Sequence, residues 1–262
     1  MNPMLNIAIR AIRQAGNFIA KRYEKPAIEI PIKSKNNFVI NIDKKAEQII
    51  IEVIQKYYPT HSILTEEIGQ ILGEKKDIQW IVNPLDGIIN FSKRLPHFSV
   101  SIAACINGRT EISAVYNPML NELFTSVRGQ GVQLNGYRLR LKNINELGCA
   151  IIATSFPFKI KQHSDAYFNI VSKLFKKCAD FRHTGSSALN LAYVAAGRID
   201  AFFEIGLKPW DFKAGELLVR ESGGIVTSFI DGQNCFYSEN MLAGSPWIVK
   251  KILLEIQTEL TN

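Results

Sequence analysis

Two Asn-Gly pairs, Asn107-Gly108 and Asn135-Gly136, each lie between apolar runs in the stretch from Phe98 to Arg140. An Asn-Gly dipeptide takes up the two left-handed conformations of a tight hairpin turn at little cost. Strands joined in this way run antiparallel, so this part of the chain is committed to strand, turn, strand. The flanks obey other periods. Leu5, Ala8, Ile9, Ile12, Ala15, Phe18 and Ile19 recur at helical spacing and predict an amphipathic helix over 3–22, ended by Pro26 and Pro31. Asp43 stands where an N-cap belongs, ahead of Ala46, Ile49, Ile50, Val53, Ile54 and Tyr57, a second helix closed by Pro59. "HSILT" and "QWIVN" read as short strands. After Cys149 strand and helix alternate: "AIIATS", a helix over 162–177, "DFRHTG", a helix over 186–196, "IDAFFE", a helix over 211–222, "GGIVTSF" and a final helix from Pro246. No linker, repeat or low-complexity segment interrupts the pattern. The expectation is one layered α/β domain over 1–262, with a helix–sheet half over about 1–145 and an α/β half over 146–262.

With 262 residues and 47% hydrophobic content, the chain can bury a sizeable core. Its net charge of +7 suits acidic partners or nucleic acid, but also follows from a plain drift towards Lys, Asn and Ile codons. Cys105, Cys149, Cys178 and Cys235 show no C-x-x-C, which points to reduced cytoplasmic thiols rather than a disulfide frame or zinc site. His61, His97, His163 and His183 have no metal-ligand spacing. Arg10, Arg13, Lys21 and Arg22 break any signal-like apolar run, and no stretch approaches the ~20 apolar residues of a membrane span. Trp80, Trp210 and Trp247 read as core aromatics. "RGQG" reads as a hairpin turn, and "SKR", "GYRLRLK" and "KLFKK" as solvated basic faces without a nucleic-acid-binding signature.

The chemistry concentrates at four acidic positions that fall at element ends: Asp43, Glu66, Asp86 and Asp211. Carboxylates gathered at such ends are hard oxygen ligands of the kind Mg²⁺ takes. Ions held there can clamp a phosphate ester and lower the pKa of an attacking water. In "IVNPLDGIINF" the amides of Gly87 and Ile88 are available to phosphate oxygens if a helix starts there. Spacing alone leaves the plainer readings open: Asp43 as an N-cap, and Glu66–Glu67 as surface charge.

Several of these segments, taken in order, resemble one family. "NNFVINIDKKAE", "LTEEIG", "WIVNPLDGIINF" and "KPWDFKAGELLVRESGG" are similar to the successive signatures of the inositol monophosphatase family. "PMLNIAIRAIRQAG", "RLPHFSVSIA", "RGQGVQLNGYRLR" and "CADFRHTGSSALNLAYVAAGRIDAFFEIGLKPWDF" further resemble a bacterial branch whose members also serve as Nus-type factors in ribosomal RNA transcription antitermination. The resemblance implies a five-layer α-β-α-β-α sandwich, usually a homodimer, with Mg²⁺ between layers. It implies metal ligands at Glu66, position 83, the Leu85 carbonyl, Asp86 and Asp211. Gly87 and Ile88 would hold phosphate through their amides, and Asp43 would orient water. Arg182, Gly185, Ser186, Ser187 and Glu204 would meet the inositol ring.

The chain departs from that pattern where the ions would sit. Asn83 replaces the first signature Asp, and an amide brings a donor where a bridging anion is needed. Removing one charge ~4 Å from an ion forfeits about 4 kcal/mol at an effective dielectric near 20, on the order of a thousandfold in affinity. Ile88 replaces a Thr whose hydroxyl would pair with Asp43 around the water; such a positioning loss costs roughly a hundredfold. Ile40 stands for Thr and Asn37 for Asp. Lys213 follows Asp211 in place of a small residue, which puts a cation near the pocket or simply in solvent. The expectation is weak Mg²⁺ binding and weak or lost hydrolysis. Two functions follow from the resemblance. One is a Nus-type factor docking onto RNA polymerase and other Nus factors, with the nascent rRNA leader inside the complex, in support of ribosome biogenesis. The other is a Mg²⁺-dependent phosphatase acting on myo-inositol 1-phosphate. A relative acting on fructose bisphosphate or a phosphorylated adenosine nucleotide has no second phosphate site or adenine pocket to support it.

Overall fold

The computed structural model describes residues 2–24, 32–34, 37–38, 41–156, 164–228 and 240–260. The chain opens with helix α1 (Pro3–Tyr23), capped by the Asn2 side chain on the amides of Met4 and Leu5. A small pair, β1 (Ile32–Ser34) and β2 (Asn37–Phe38), precedes α2 (Asn41–Tyr57). Then come β3 (His61–Thr65), β4 (Gln70–Ile71), β5 (Lys75–Asp86) and the short α3 (Ile88–Ser92). The meander is β6 (Ser99–Ile106), β7 (Arg109–Asn117), β8 (Glu122–Val127), β9 (Gly131–Leu134) and β10 (Tyr137–Leu139). Asn107, Gly108, Asn135 and Gly136 all have positive φ, between 50° and 86°, as two-residue hairpin turns require.

The second half begins at β11 (Ile151–Thr154), followed by α4 (Ser164–Phe175), β12 (Asp180–His183), α5 (Ser187–Ala195) and β13 (Ala201–Ile205). It closes with α6 (Pro209–Glu221), β14 (Ile225–Thr227), β15 (Asn240–Gly244) and α7 (Pro246–Leu260). One sheet runs β10-β9-β8-β7-β6-β5-β3-β4 and the other β12-β11-β13-β15-β14. Helices α1 and α2 cover the outer face of the large sheet, α5 and α6 fill the space between the sheets, and α4 packs with α7 on the far side. The result is an α-β-α-β-α sandwich. Three apolar clusters cement it. Ile12, Ile50, Trp80 and Phe98 lie under α1 and α2; Phe124, Leu189, Phe202 and Leu218 surround α5 and α6; Tyr167, Phe203 and Ile252 lie under α4 and α7. Gly215 lets the two middle helices touch, because a Cβ there would come 2.4 Å from that of Leu191.

Several expectations shift. "QWIVN" lies inside a twelve-residue strand. Asp43 lies inside the first turn of α2 instead of at its N-cap. The helix expected from 211 starts at Pro209, which places Asp211 at its third position. Strand β15 was not expected, because "NMLAG" lacks the β-branched residues that mark a strand. Trp80 is fully buried, but Trp210 and Trp247 are half-buried. Arg94 is no freely solvated cation; it lies over the Tyr23 ring, and the Tyr23 hydroxyl donates to its carbonyl. Lys177 of "KLFKK" pairs with Glu255 at 2.6 Å. Ile40 and the side chain of Asn37 lie outside the described residues.

Candidate functional site

A bulge in β5 builds one side of the site. Asn83 pairs with Ser101 and Asp86 with Ser99, so β5 carries one residue more than β6 across the stretch that holds Pro84 and Leu85. Proline tolerates such a place because a bulge leaves one amide without a ladder partner. The extra residue changes which face each side chain meets. Leu85 goes into the core under α1 and α2, while Asn83 and Asp86 reach the middle helices. Gly87 follows at φ 95° and caps α3, and a Cβ on it would come 3.0 Å from the His97 carbonyl.

The middle helices supply the other side. Ser186 caps α5, and its hydroxyl donates to Asp86 Oδ2 at 2.6 Å; the Ala188 amide donates to the same oxygen at 2.9 Å. The Ser187 hydroxyl donates to Glu204 Oε2 at 2.6 Å. Loss of solvent around Glu204 pushes its carboxyl up to about 8, the nearby Asp211 and Asp86 charges push the same way, and the Ser187 and Ser155 hydroxyls oppose them. Asp211 Oδ2 accepts the Lys208 amide at 2.8 Å, which closes the first turn of α6.

Asn83 joins the two sides. It is 1% exposed. Its Oδ1 accepts the Leu85 amide at 3.2 Å, and its Nδ2 donates to Asp211 Oδ1 across a longer 3.4 Å. The amide therefore directs a donor at the carboxylate that a cation would need, and its one oxygen is already engaged. Ile88 is half-buried against the core under α1 and α2, where a branched apolar chain gains by burial and has nothing to offer a water. Among the described residues, no three His, Cys, Asp or Glu side chains are grouped so that they could hold a metal ion. At position 83 the side chain is an amide donor where the resemblance implies a bridging carboxylate.

Asp43 is fully buried in α2, and Glu66 follows β3 in the loop beside it. The residue that fixes that loop is Glu47, which sequence reasoning missed. Its buried carboxylate accepts the Thr65 hydroxyl and the amides of Glu67 and Ile68, the last two at 3.2 and 2.9 Å. Asn90 was missed as well. Its Nδ2 donates to the carbonyls of His97 and Thr184, both at 2.7 Å, and so seats the α5 N-terminus, where Gly185 passes directly over it. Arg182, expected at the ring, is ion-paired to Asp180 on its own strand and half-exposed. Lys213 goes neither to the pocket nor to solvent. It is 4% exposed and pairs with Glu216 at 3.2 Å, which also pairs with Arg220 at 3.0 Å. Removing a cation from water costs free energy unless an anion meets it, and the i, i+3 spacing on α6 provides one.

Comparison with known proteins agrees with this architecture. The inositol monophosphatase family profile matches residues 1–262, and that family is generally Mg²⁺-dependent. A Nus factor SuhB of Escherichia coli (strain K12) is 60% identical over 263 residues, covering 100% of this chain and 98% of its own. A Nus factor SuhB of Vibrio cholerae is 54% identical over 258 residues, covering 98% and 97%. Among solved structures, an extragenic suppressor protein suhB from Bartonella henselae superimposes with a TM-score of 0.94 at 35% identity, over 98% of this chain and 99% of that one. The Thermotoga maritima IMPase gives 0.89 at 30% identity, over 99% of both. No helix among the described residues is long and apolar enough to cross a membrane.

Proposed function

The chain belongs to the inositol monophosphatase family, and within it we propose a docking role: a Nus-type factor in ribosomal RNA transcription antitermination, working as one domain and as a homodimer. Its partners are RNA polymerase and other Nus factors in the cytoplasm, with the nascent rRNA leader as a further contact. The observation that carries this reading is the Asn83 amide, which lies between Leu85 and Asp211 where hydrolysis needs a bridging carboxylate. Relatives named Nus factor SuhB at 54–60% identity support the partner class. A stripe on the β10 edge supports the RNA contact. Arg138, Arg140 and Lys142 are exposed, and the run 128–145 around them contains no acidic residue. Phosphate contacts of this kind weaken with salt.

The test is a titration of purified RNA polymerase and Nus factors with the unmodified protein, with and without an rRNA leader. Binding in the absence of Mg²⁺ is expected. No binding to any of these partners overturns the reading. A second reading, a phosphatase of low turnover on myo-inositol 1-phosphate, rests on the retained Asp43, Glu66, Asp86 and Asp211. Mg²⁺-dependent phosphate release from myo-inositol 1-phosphate, with no binding to the transcription partners, would favour it over the first.

A further inference from the structure

Cys149 and Cys178 are distant in the chain, and the site described above uses neither. The fold lays their backbones side by side. Cys149 ends the short 3₁₀ turn Leu147–Cys149 that leads into β11, and Cys178 lies in the turn that leads into β12. These strands are parallel, with Ile151 opposite Asp180. One residue earlier, the Ala150 carbonyl accepts the Ala179 amide at 3.0 Å. On the other flank, a Cβ on Gly148 would lie 3.9 Å from the Lys177 carbonyl oxygen. The two cysteines occupy the positions bracketed by these contacts. The ladder that begins two residues on, at Ile151 and Asp180, holds its strands about 4.8 Å apart, a spacing of the order of the roughly 4.4–6.8 Å Cα separation that a disulfide spans. Among the described residues each thiol makes one long contact: Cys149 Sγ to Glu146 Oε2 at 3.9 Å, and Cys178 Sγ to the Asp180 carbonyl at 3.7 Å.

We propose that Cys149 and Cys178 form an oxidation site that a small-molecule disulfide, of the glutathione disulfide class, converts into an intramolecular disulfide. Cys149 is exposed and reacts first; Cys178 is half-buried, and burial pushes its thiol up. The Cys149 thiolate attacks one sulfur of the oxidant, forms a mixed disulfide and releases one small thiolate. Cys178, as thiolate, then attacks the Cys149 sulfur and expels the second. Two protein thiols and one small disulfide become one protein disulfide and two small thiols. The bond joins the bases of two strands that both lead to the site: β11 runs on to Ser155, and β12 to the Ser186–Ser187 cap of α5. It also closes a loop around α4, which restricts the unfolded chain.

The experiment uses the full chain with Cys235→Ser, so that the remaining thiols are Cys105, which is buried, and the pair itself. Glutathione disulfide is the oxidant, followed by intact mass, non-reducing peptide mapping and thermal melting. The expected result is a mass lower by two hydrogens, a linked Cys149–Cys178 peptide and a melting temperature several degrees above the reduced form. In Cys149→Ser and Cys178→Ser, which should melt like the reduced protein, the rise disappears. A stable glutathione adduct on Cys149 without the linked peptide overturns the proposal, as do a link through Cys105 and unreacted thiols throughout.

Discussion

The tip of β5 and the N-terminus of α5 meet at Asp86, and they are held by different means. On the α5 side the partners come from the protein itself: Ser186 and the Ala188 amide on Asp86, Ser187 on Glu204, and Asn90 under Thr184. On the β5 side, where the resemblance implies an ion, the Asn83 amide donates to Asp211 across a long contact. Positions 83 and 88, where the resemblance implies an ion ligand and a water-holding hydroxyl, carry an amide and an apolar branch. The shape of such a site can therefore outlast its charge, because shape rests on bonds that need no ion.

The largest test of that contrast rebuilds the β5 tip. Asn83→Asp with Ile88→Thr returns the bridging carboxylate and the hydroxyl, and should raise kcat/KM for myo-inositol 1-phosphate by several powers of ten if the two effects multiply. The pair is close enough to couple, so the gain can fall short of the product. Phosphate release by the single and double variants measures it. A double variant no faster than the unmodified protein would break the comparison outright.

Mg²⁺ binding gives the next effect. A ligand at a hundred times its Kd adds about 2.7 kcal/mol to stability, and a thousandfold weaker site at the same concentration adds less than about 0.1 kcal/mol. Mg²⁺ should thus barely move the melting temperature of the unmodified chain and visibly raise that of Asn83→Asp. A saturable shift of equal size in both would mean that position 83 does not govern the ion.

What could be read in the sequence, and what could not, follows the same division between local and distant causes. The Asn-Gly hairpins and the α1 face were legible because turn conformation and helical period are local properties. Glu47 was not, since its acceptors' partners lie at Thr65, Glu67 and Ile68, brought to it by the packing of α2 on the sheet edge. Lys213 misled because lysine is ordinarily exposed, and only the burial of α6 between two sheets decides otherwise. The four acidic positions stand out in the sequence, by their place at element ends and through the family resemblance. The bulge that aims Asn83 and Asp86 was not legible, as an insertion shows only against a paired strand.

A smaller effect sharpens the α5 side. Glu204 is pushed from its ordinary 4.5 up to about 8 in the folded protein. Below pH 4.5 the group is protonated in both states and costs nothing. Between those two values the folded protein holds a proton that the unfolded chain has released, so stability falls as pH rises; above about 8 the loss is complete. Allowing for partial solvent screening, the fall is on the order of 1–3 kcal/mol. Urea unfolding in a chelator, at about pH 5 and about pH 8.5, should show it, and Glu204→Gln should flatten the difference. An unchanged slope in that variant would remove Glu204 as its source.

The smallest expected effect is Asp211→Asn, and its smallness is the point. An asparagine at 211 retains one oxygen for the Lys208 amide, so the first turn of α6 stays closed. What it loses is the contact with Asn83, where a second amide would set donor against donor unless one of them turns. A long hydrogen bond of this kind is worth about 1 kcal/mol, which the chain can lose and remain folded, as circular dichroism would verify. If the protein acts by docking, its affinity for RNA polymerase and Nus factors depends on shape and a few buried anchors, and should change less than about twofold. If it acts by binding an ion, the same substitution removes a second charge from an already weakened site, and function should collapse with it. Titration of the folded variant against the same partners separates the two: a large loss of binding would tie the docking surface to the ion site and end the distinction between the β5 tip and the framework around it.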